Sequence, residues 1–119
     1  MNSKSFSVNI SKKINPFKKS ITVDSDKSQS LRAFLIGSIS HNISTASNVL
    51  ESEDILSTIN CLKKLNVKII KNKSKEYKIY GKGLGSFYCK KKTILDLGNS
   101  GTGLRLICSI IATTPNLDL

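Results

Sequence analysis

The stretch from residue 93 to residue 111 constrains the fold more than any other part of this chain. An apolar run, TILDLG, leads into a segment with three glycines, after which apolar residues recur at helical spacing at positions 104, 107, 108 and 111. We therefore predict a strand over 93–97, a tight turn, and a helix that begins near Gly101. Glycines let a ligand approach the backbone, and the free amides at a helix N-terminus attract anions. An ordinary turn with Ser100 as the helix N-cap is the alternative interpretation.

A second candidate anion site lies at the start of a helix predicted from Asp26 to about Ser40. Asp26 is a good N-cap, Lys27 and Ser28 occupy the first turn, and Arg32 shares their side of the helix. A lysine in a first turn is disfavoured by the helix dipole, and a bound anion would relieve that cost. The pattern suits a phosphate, or a phosphate beside a carboxylate. A solvated helix end with no ligand is the alternative. The apolar face of this helix is predicted at positions 31, 34, 35, 36 and 39.

The charge balance bears on both candidate sites. The net charge is +11, and 17 of the 19 basic residues are lysines. Arg32 and Arg105, the two arginines, each follow a candidate anion site by about one helical turn, where a planar bidentate group is useful. The lysines are scattered in pairs and triplets with few aromatic residues between them, which argues against a nucleic-acid interface. A basic nucleic-acid-binding module remains an alternative function.

Cysteine usage and hydropathy exclude several other classes. The three cysteines form no CxxC pair and have no histidine at metal-ligand spacing, so no metal site is predicted. Cys61 and Cys108 are predicted to be buried thiols of a reducing compartment. No apolar run reaches transmembrane length, and residues 1–20 lack the apolar centre of a signal peptide, so we predict no membrane association and a cytoplasmic location.

The coarse order of elements predicts an α/β (α+β) fold. A helix is predicted over 53–65, with Glu53 and Asp54 as stabilisers of its first turn and Asn66 in the left-handed conformation that ends it. Its apolar face falls at 55, 56, 59, 62 and 65. Strands are predicted over 6–10, 20–23, 45–50, 67–71 and 77–80, with a loop at 81–85. A further strand that begins at residue 117 is cut short after three residues, as in a truncated product.

Three ordered motifs resemble one known family. They are DKSQSLRAFLIGSI, NVLESEDILSTINCLKKLNVKI and LDLGNSGTGLRL, and in that order they resemble the amino-terminal quarter of the 3-phosphoshikimate 1-carboxyvinyltransferases, or EPSP synthases. Modest departures from the family pattern include Ser25, Leu31 and Asn66, and none removes a binding side chain. The sister UDP-N-acetylglucosamine enolpyruvyl transferases share the fold but would have Lys-Asn at positions 27 and 28.

The resemblance implies a fold of two globules, each made of three βαβαββ units. Residues 21–119 would form the first unit and the start of the second, incomplete here. Residues 1–20 would form strands that belong to the opposite globule. A full-length member of the family is expected to be a monomer.

The resemblance also implies two substrate-binding sets. Lys27, Ser28 and Arg32 match family residues that bind shikimate 3-phosphate, and the lysine also reaches phosphoenolpyruvate. Gly101 matches the glycine that lies against phosphoenolpyruvate and limits the room for glyphosate, with Asn99 beside it.

The implied reaction moves the enolpyruvyl group of phosphoenolpyruvate to the 5-hydroxyl of shikimate 3-phosphate and releases phosphate, with no metal or organic cofactor. Arg105 matches a family arginine to which we assign a positioning role. None of the family's catalytic acids or bases falls within these 119 residues. We therefore predict that the chain alone is inactive; a pseudoenzyme remnant is a further alternative.

Overall fold

The computed structural model describes residues 7, 9, 24–115 and 117. In chain order the elements are α1 (Lys27–Ile39), β1 (Ile43–Ala46), α2 (Glu53–Lys64), β2 (Lys68–Lys71), β3 (Tyr77–Tyr80) and α3 (Gly101–Ile111). The α/β class predicted from the sequence is confirmed. The strands predicted over 6–10, 20–23 and 117–119 fall outside the described residues, apart from single positions.

Helix α1 begins as its N-cap predicts. The side chain of Asp26 accepts a hydrogen bond from the Gln29 amide at 2.6 Å. Leu31, Phe34 and Leu35 are buried, whereas Ile36 is 63% exposed, so its placement on the buried face was wrong. Ile36 lies about 200° around the helix from Phe34, and serine and glycine complete the buried stripe instead.

Helix α2 matches the predicted pattern at both ends. Its buried face contains Ile55, Ile59 and Leu62, while Leu56, predicted on the same face, is 44% exposed. Two hydrogen bonds close its C-terminus, from the Asn66 amide to the Lys63 carbonyl and from the Val67 amide to the Leu62 carbonyl, both 3.0 Å. This is a Schellman motif with Asn66 at φ 65°, as predicted. Because the motif uses Val67, β2 begins one residue later than expected.

The three strands form an antiparallel sheet in the order β1-β3-β2. Strand β3 matches its prediction, whereas the strand predicted over 45–50 instead spans Ile43–Ala46. Asn48 has a φ of 51°, which breaks an extended conformation soon after Ala46. The pairing of Ile43 with Tyr80 is set by a strand far along the chain, and it moves the start of β1 back.

Residues 93–97 do not form the predicted strand. Their carbonyls bond side chains of α2 instead of a neighbouring strand: Cys61 Sγ donates to the Asp96 carbonyl at 3.2 Å, and Lys64 Nζ donates to the Ile94 carbonyl at 2.8 Å. Leu97 is buried and fastens the end of the segment to the core. The segment therefore lies along α2 and leads to the start of α3.

The core lies between the helices and one face of the sheet. Its fully buried large side chains are Phe34, Ile55, Leu62, Leu65, Ile79 and Ile107. Cys61 is buried, as predicted. Cys108 is exposed, so that prediction was wrong; it follows Ile107 by one residue, which turns it about 100° away from the buried side of α3.

The end of α1 packs directly against the end of β3. A side chain at Gly81 would clash with the Ser40 carbonyl, so only glycine fits this contact. The Lys82 amide donates to the Ser38 carbonyl at 2.8 Å, and the Gly83 amide donates to the Ser40 carbonyl at 2.9 Å. Backbone therefore joins helix to sheet at this point.

Candidate anion-binding site

The N-terminal ends of the three helices in the described residues converge on one cavity of about 420 Å³, which we call the helix-start cavity. Its lining includes the first turn of α1, the first turn of α2 and the loop that leads into α3. Its polar lining residues are Lys27, Ser28, Asp54, Asn99, Ser100, Thr102 and Arg105. The first amides of a helix have no acceptor within it and carry partial positive charge. Three such ends at one place favour an anionic ligand.

The α1 side of the cavity contains an ion pair. Lys27 Nζ is paired with the carboxylate of Asp54, and the two side chains are 55% and 19% exposed. The pair therefore lies at the cavity surface and joins α1 to α2. The sequence pattern indicated Asp54 only as a stabiliser of its own helix, so its contact with Lys27 was not predicted. No local sequence signal places Asp54 beside Lys27, because the contact joins two different helices.

On the α3 side, the cavity is bordered mainly by backbone atoms and less by side chains. Ser100 is 4% exposed, and its hydroxyl accepts a hydrogen bond from the Gly103 amide at 3.2 Å, so Ser100 is the N-cap, a feature that the sequence offered under the alternative interpretation of an ordinary turn. A Cβ on Gly103 would lie 2.7 Å from that hydroxyl oxygen, and glycine is needed to keep the cap. A Cβ on Gly101 would meet no atom within 4 Å. The open space beside Gly101 is where a ligand can reach the backbone.

The two arginines occupy different positions relative to the cavity. Arg105, one turn into α3, is part of the lining. Arg32 is exposed outside the lining, and its guanidinium donates to the Ser28 carbonyl at 3.2 Å. The structure therefore brings Lys27 and Ser28 together with Asn99 and Gly101, and holds Arg32 beside them. The lining has one more cation than it has carboxylates.

A cluster of polar side chains fixes the segment that precedes α2. The Glu51 carboxylate accepts a hydrogen bond from the Tyr77 hydroxyl at 3.0 Å and pairs with Lys71 Nζ at 2.5 Å. These contacts lower the pKa of Glu51, with the Lys71 contact as the larger cause, and the same contact raises the pKa of Lys71. Burial, followed by Glu51, raises the pKa of Tyr77. The cluster ties the start of α2, and so Asp54, to the sheet.

Two negative findings apply to the described part of the chain. Residues 7, 9, 24–115 and 117 contain no group of three or more histidine, cysteine, aspartate or glutamate side chains placed to hold a metal ion. None of the helices in those ranges combines the length and apolar character needed to cross a bilayer.

Comparison with known proteins identifies the family. The family model described as EPSP synthase (3-phosphoshikimate 1-carboxyvinyltransferase) matches residues 11–117. The chain belongs to this family, as its three sequence motifs indicated.

Relatives and solved structures agree with this assignment. A 3-phosphoshikimate 1-carboxyvinyltransferase of Syntrophomonas wolfei is 37% identical over 110 residues, which cover 92% of this chain and 25% of the relative. One from a Thermoanaerobacter species is 49% identical over 92 residues, covering 77% and 21%. The structure of EPSP synthase from Acinetobacter baumannii superposes with a TM-score of 0.68 at 33% identity, covering 76% of this chain and 20% of that one. The chain thus spans 21% to 25% of the length of these curated relatives.

Proposed function

We propose that this chain supplies the part of an EPSP synthase that binds shikimate 3-phosphate and phosphoenolpyruvate. The enzyme would transfer the enolpyruvyl group to the 5-hydroxyl of shikimate 3-phosphate and release phosphate. The observation that carries the proposal is the convergence of Lys27 and Ser28 with Asn99 and Gly101 in one cavity, at the N-terminal ends of three helices. Both substrates are polyanions, and holding two of them in reactive contact requires several fixed positive groups.

The α1 side would bind shikimate 3-phosphate. Lys27 and the Ser28 hydroxyl lie in the first turn, where the helix dipole adds to their attraction for a phosphate. Arg32 is one turn further on, within reach of an anion that extends past Ser28. When a phosphate binds, the Arg32 guanidinium would give up its hydrogen bond to the Ser28 carbonyl and donate to a phosphate oxygen instead. The phosphate oxygen is the stronger acceptor because it is charged.

The α3 side would bind phosphoenolpyruvate. The open space at Gly101 admits a ligand to the backbone, and Asn99 borders the same space. Lys27 lines the same cavity as Asn99 and Gly101 and would reach both substrates. Arg105 would position the loop and add positive charge behind it.

Asp54 would act as the counter-ion of Lys27 before substrate binds. While no substrate is bound, its carboxylate neutralises Lys27 and so reduces the repulsion between the cations of the cavity. An arriving phosphate competes with Asp54 for the lysine. The price of this arrangement is lower affinity for the anion.

The proposal assigns binding, not proton transfer, to this chain. We propose that the acids and bases of the reaction lie in the part of the enzyme that the chain does not span, so that the chain alone binds but does not turn over. It further places residues 21–119 in one globule and residues 1–20 with the other, in a monomeric cytoplasmic enzyme that needs no metal or organic cofactor, no nucleic acid and no membrane.

The test is calorimetric titration of the 119-residue chain with shikimate 3-phosphate. Lys27→Met removes a charged contact and should weaken binding about tenfold or more. The matched control is Lys78→Met, which makes the same charge change at an exposed position on β3 and should alter binding less than about twofold.

Two results would contradict the proposed substrate binding. One is equal weakening by both variants, which would mean that only net charge is sensed. The other is the absence of binding by a chain whose circular dichroism shows it to be folded. Phosphate release by the chain with both substrates present would contradict the assignment of proton transfer to other parts of the enzyme.

A further inference from the structure

A second cavity lies at the other end of α2, against its C-terminus. It has a volume of about 610 Å³ and is formed between the end of the helix and the segment 88–94. We call it the lysine cavity, because its lining contains Lys63, Lys64, Lys90 and Lys92. Helix α2 has 12 residues and is about 18 Å long, which separates this cavity from the helix-start cavity. The function proposed above does not use it.

The walls of the lysine cavity are held by specific contacts. Lys64 Nζ donates to the Ile94 carbonyl at 2.8 Å, and the Tyr88 amide donates to the Leu65 carbonyl at 3.4 Å. The Thr93 hydroxyl donates to the Lys90 carbonyl at 2.6 Å and closes the turn that carries the lysines. Phe87 and Leu97, both buried, anchor the two ends of the segment. The cavity is therefore built on the helix end.

The charge of this cavity is of one sign. Four lysines line it, and no carboxylate belongs to the lining. Both ion pairs found among the described residues lie elsewhere, at Asp54 and Glu51. Lys64 is engaged with the wall, which leaves three ammonium groups for a ligand. Like charges within a Debye length repel one another, and a bound polyanion removes that repulsion. Ammonium groups are compact donors that bind phosphate oxygens as point charges.

The same cavity has an apolar side. Tyr88 is 65% exposed and Ile94 is 78% exposed, and both border the lysines. An exposed tyrosine ring is a surface on which a planar ring can stack, and the cavity volume is in the range of small-molecule sites. The lining thus combines a place for several phosphates with a place for a flat ring.

We propose that the lysine cavity binds a free nucleoside di- or triphosphate. Lys63, Lys90 and Lys92 bind the phosphates, and the base stacks on Tyr88. A monoanion would leave most of the lysine charge uncompensated, and an inorganic polyphosphate would leave the tyrosine uncovered.

The test titrates the 119-residue chain with ATP, followed by amide chemical shifts and by calorimetry. We expect shift changes at residues 63–66 and 88–94, and none at residues 27–32 or 99–105. The double variant Lys90→Gln/Lys92→Gln should weaken binding about tenfold or more, and Tyr88→Ala about fivefold. The matched control Lys73→Gln/Lys78→Gln removes the same charge from exposed positions near and on β3 and should change binding less than about twofold.

Each of four results would overturn the proposal. The first is equal loss of ATP binding in the two double variants, and the second is a shift map centred on the helix-start cavity. The third is inorganic triphosphate binding as tightly as ATP, which would remove the role of Tyr88. The fourth is tighter binding of a single-stranded oligonucleotide than of ATP, which would replace the free nucleotide by an extended strand.

Discussion

The cavities at the two ends of α2 differ in how their positive charge is arranged. At the N-terminal end, Lys27 and Arg105 are offset by Asp54, and much of the positive potential comes from three helix termini. At the C-terminal end, four lysines act without a carboxylate, against the helix dipole. The positive potential of the helix-start cavity depends on the positions of helix termini and of one ion pair, whereas that of the lysine cavity depends on the number of lysines. Added salt should therefore weaken binding more at the lysine cavity than at the helix-start cavity.

The largest expected effect comes from a substitution that disturbs the cavities at both ends of α2. Leu62 lies in α2 with no exposed surface, and Leu62→Ala should lower the free energy of unfolding by about 2–5 kcal/mol. Shikimate 3-phosphate and ATP binding should both fall, because the helix supports both cavities. Urea unfolding measures the loss. Leu56→Ala, in the same helix but 44% exposed, is the control and should cost less than about 1 kcal/mol. Equal losses in the two variants would show that α2 does not pack as described.

A second substitution breaks only the N-terminal side of the comparison. Gly103→Ala would place a Cβ 2.7 Å from the Ser100 hydroxyl oxygen and 3.2 Å from that of Thr58, and should cost about 1–3 kcal/mol through crowding and loss of the cap. Phosphoenolpyruvate binding should fall while ATP binding persists. Thermal unfolding and the two titrations measure these effects.

Gly101→Ala is the counterpart of that substitution. Its Cβ meets open space, so stability should hold or rise by up to about 1 kcal/mol, while phosphoenolpyruvate binding weakens. A stability loss at Gly101 as large as at Gly103 would show that the space beside it is needed for packing and not for a ligand.

Removing the Asp54 carboxylate makes the helix-start cavity resemble the lysine cavity, which has no carboxylate in its lining. Asp54→Asn releases Lys27, whose side chain is 55% exposed, so the stability loss should stay below about 1 kcal/mol. Affinity for shikimate 3-phosphate should rise severalfold and become more sensitive to salt. Glu53→Gln removes a charge from the same first turn, outside the cavity lining, and is the control. Weaker binding in Asp54→Asn would mean that the carboxylate contacts the substrate favourably.

The smallest effect is a difference in pH response between the two ends. The lowered pKa of Glu51 means that its contacts with Lys71 and Tyr77 stabilise the fold at neutral pH, and that this contribution is lost as pH falls below the ordinary glutamate range. Hydrogen exchange should then accelerate at residues 50–54 before it does at 65–67, since uncharged backbone contacts close the other end. Glu51→Gln should abolish the difference. If both ends respond equally in the wild type, Glu51 does not fix the start of α2.

The helices could be predicted from the sequence because their signals are local. Asp26, Ser100 and Asn66 each act within about four residues of the position that they fix. The strand predicted over 93–97 was wrong because side chains of α2, some 30 residues earlier in the chain, take its carbonyls. The start of β1 was misplaced because its partner, β3, lies far along the chain.

The candidate site shows the same division. The placement of Lys27 and Gly101 in one cavity followed from two local helix starts and from the family resemblance. The pairing of Asp54 with Lys27 joins two elements and has no local signal. The lysines at 63, 64, 90 and 92 looked scattered in the sequence, and only the fold brings them to one cavity.

The glycine contact between α1 and β3 has a consequence for motion. Gly81 lies directly against the Ser40 carbonyl, and two backbone hydrogen bonds lie beside this contact. Helix α1 is therefore expected to move only together with the sheet. Lys27 and Ser28, at the start of α1, therefore belong to the same rigid unit as the sheet.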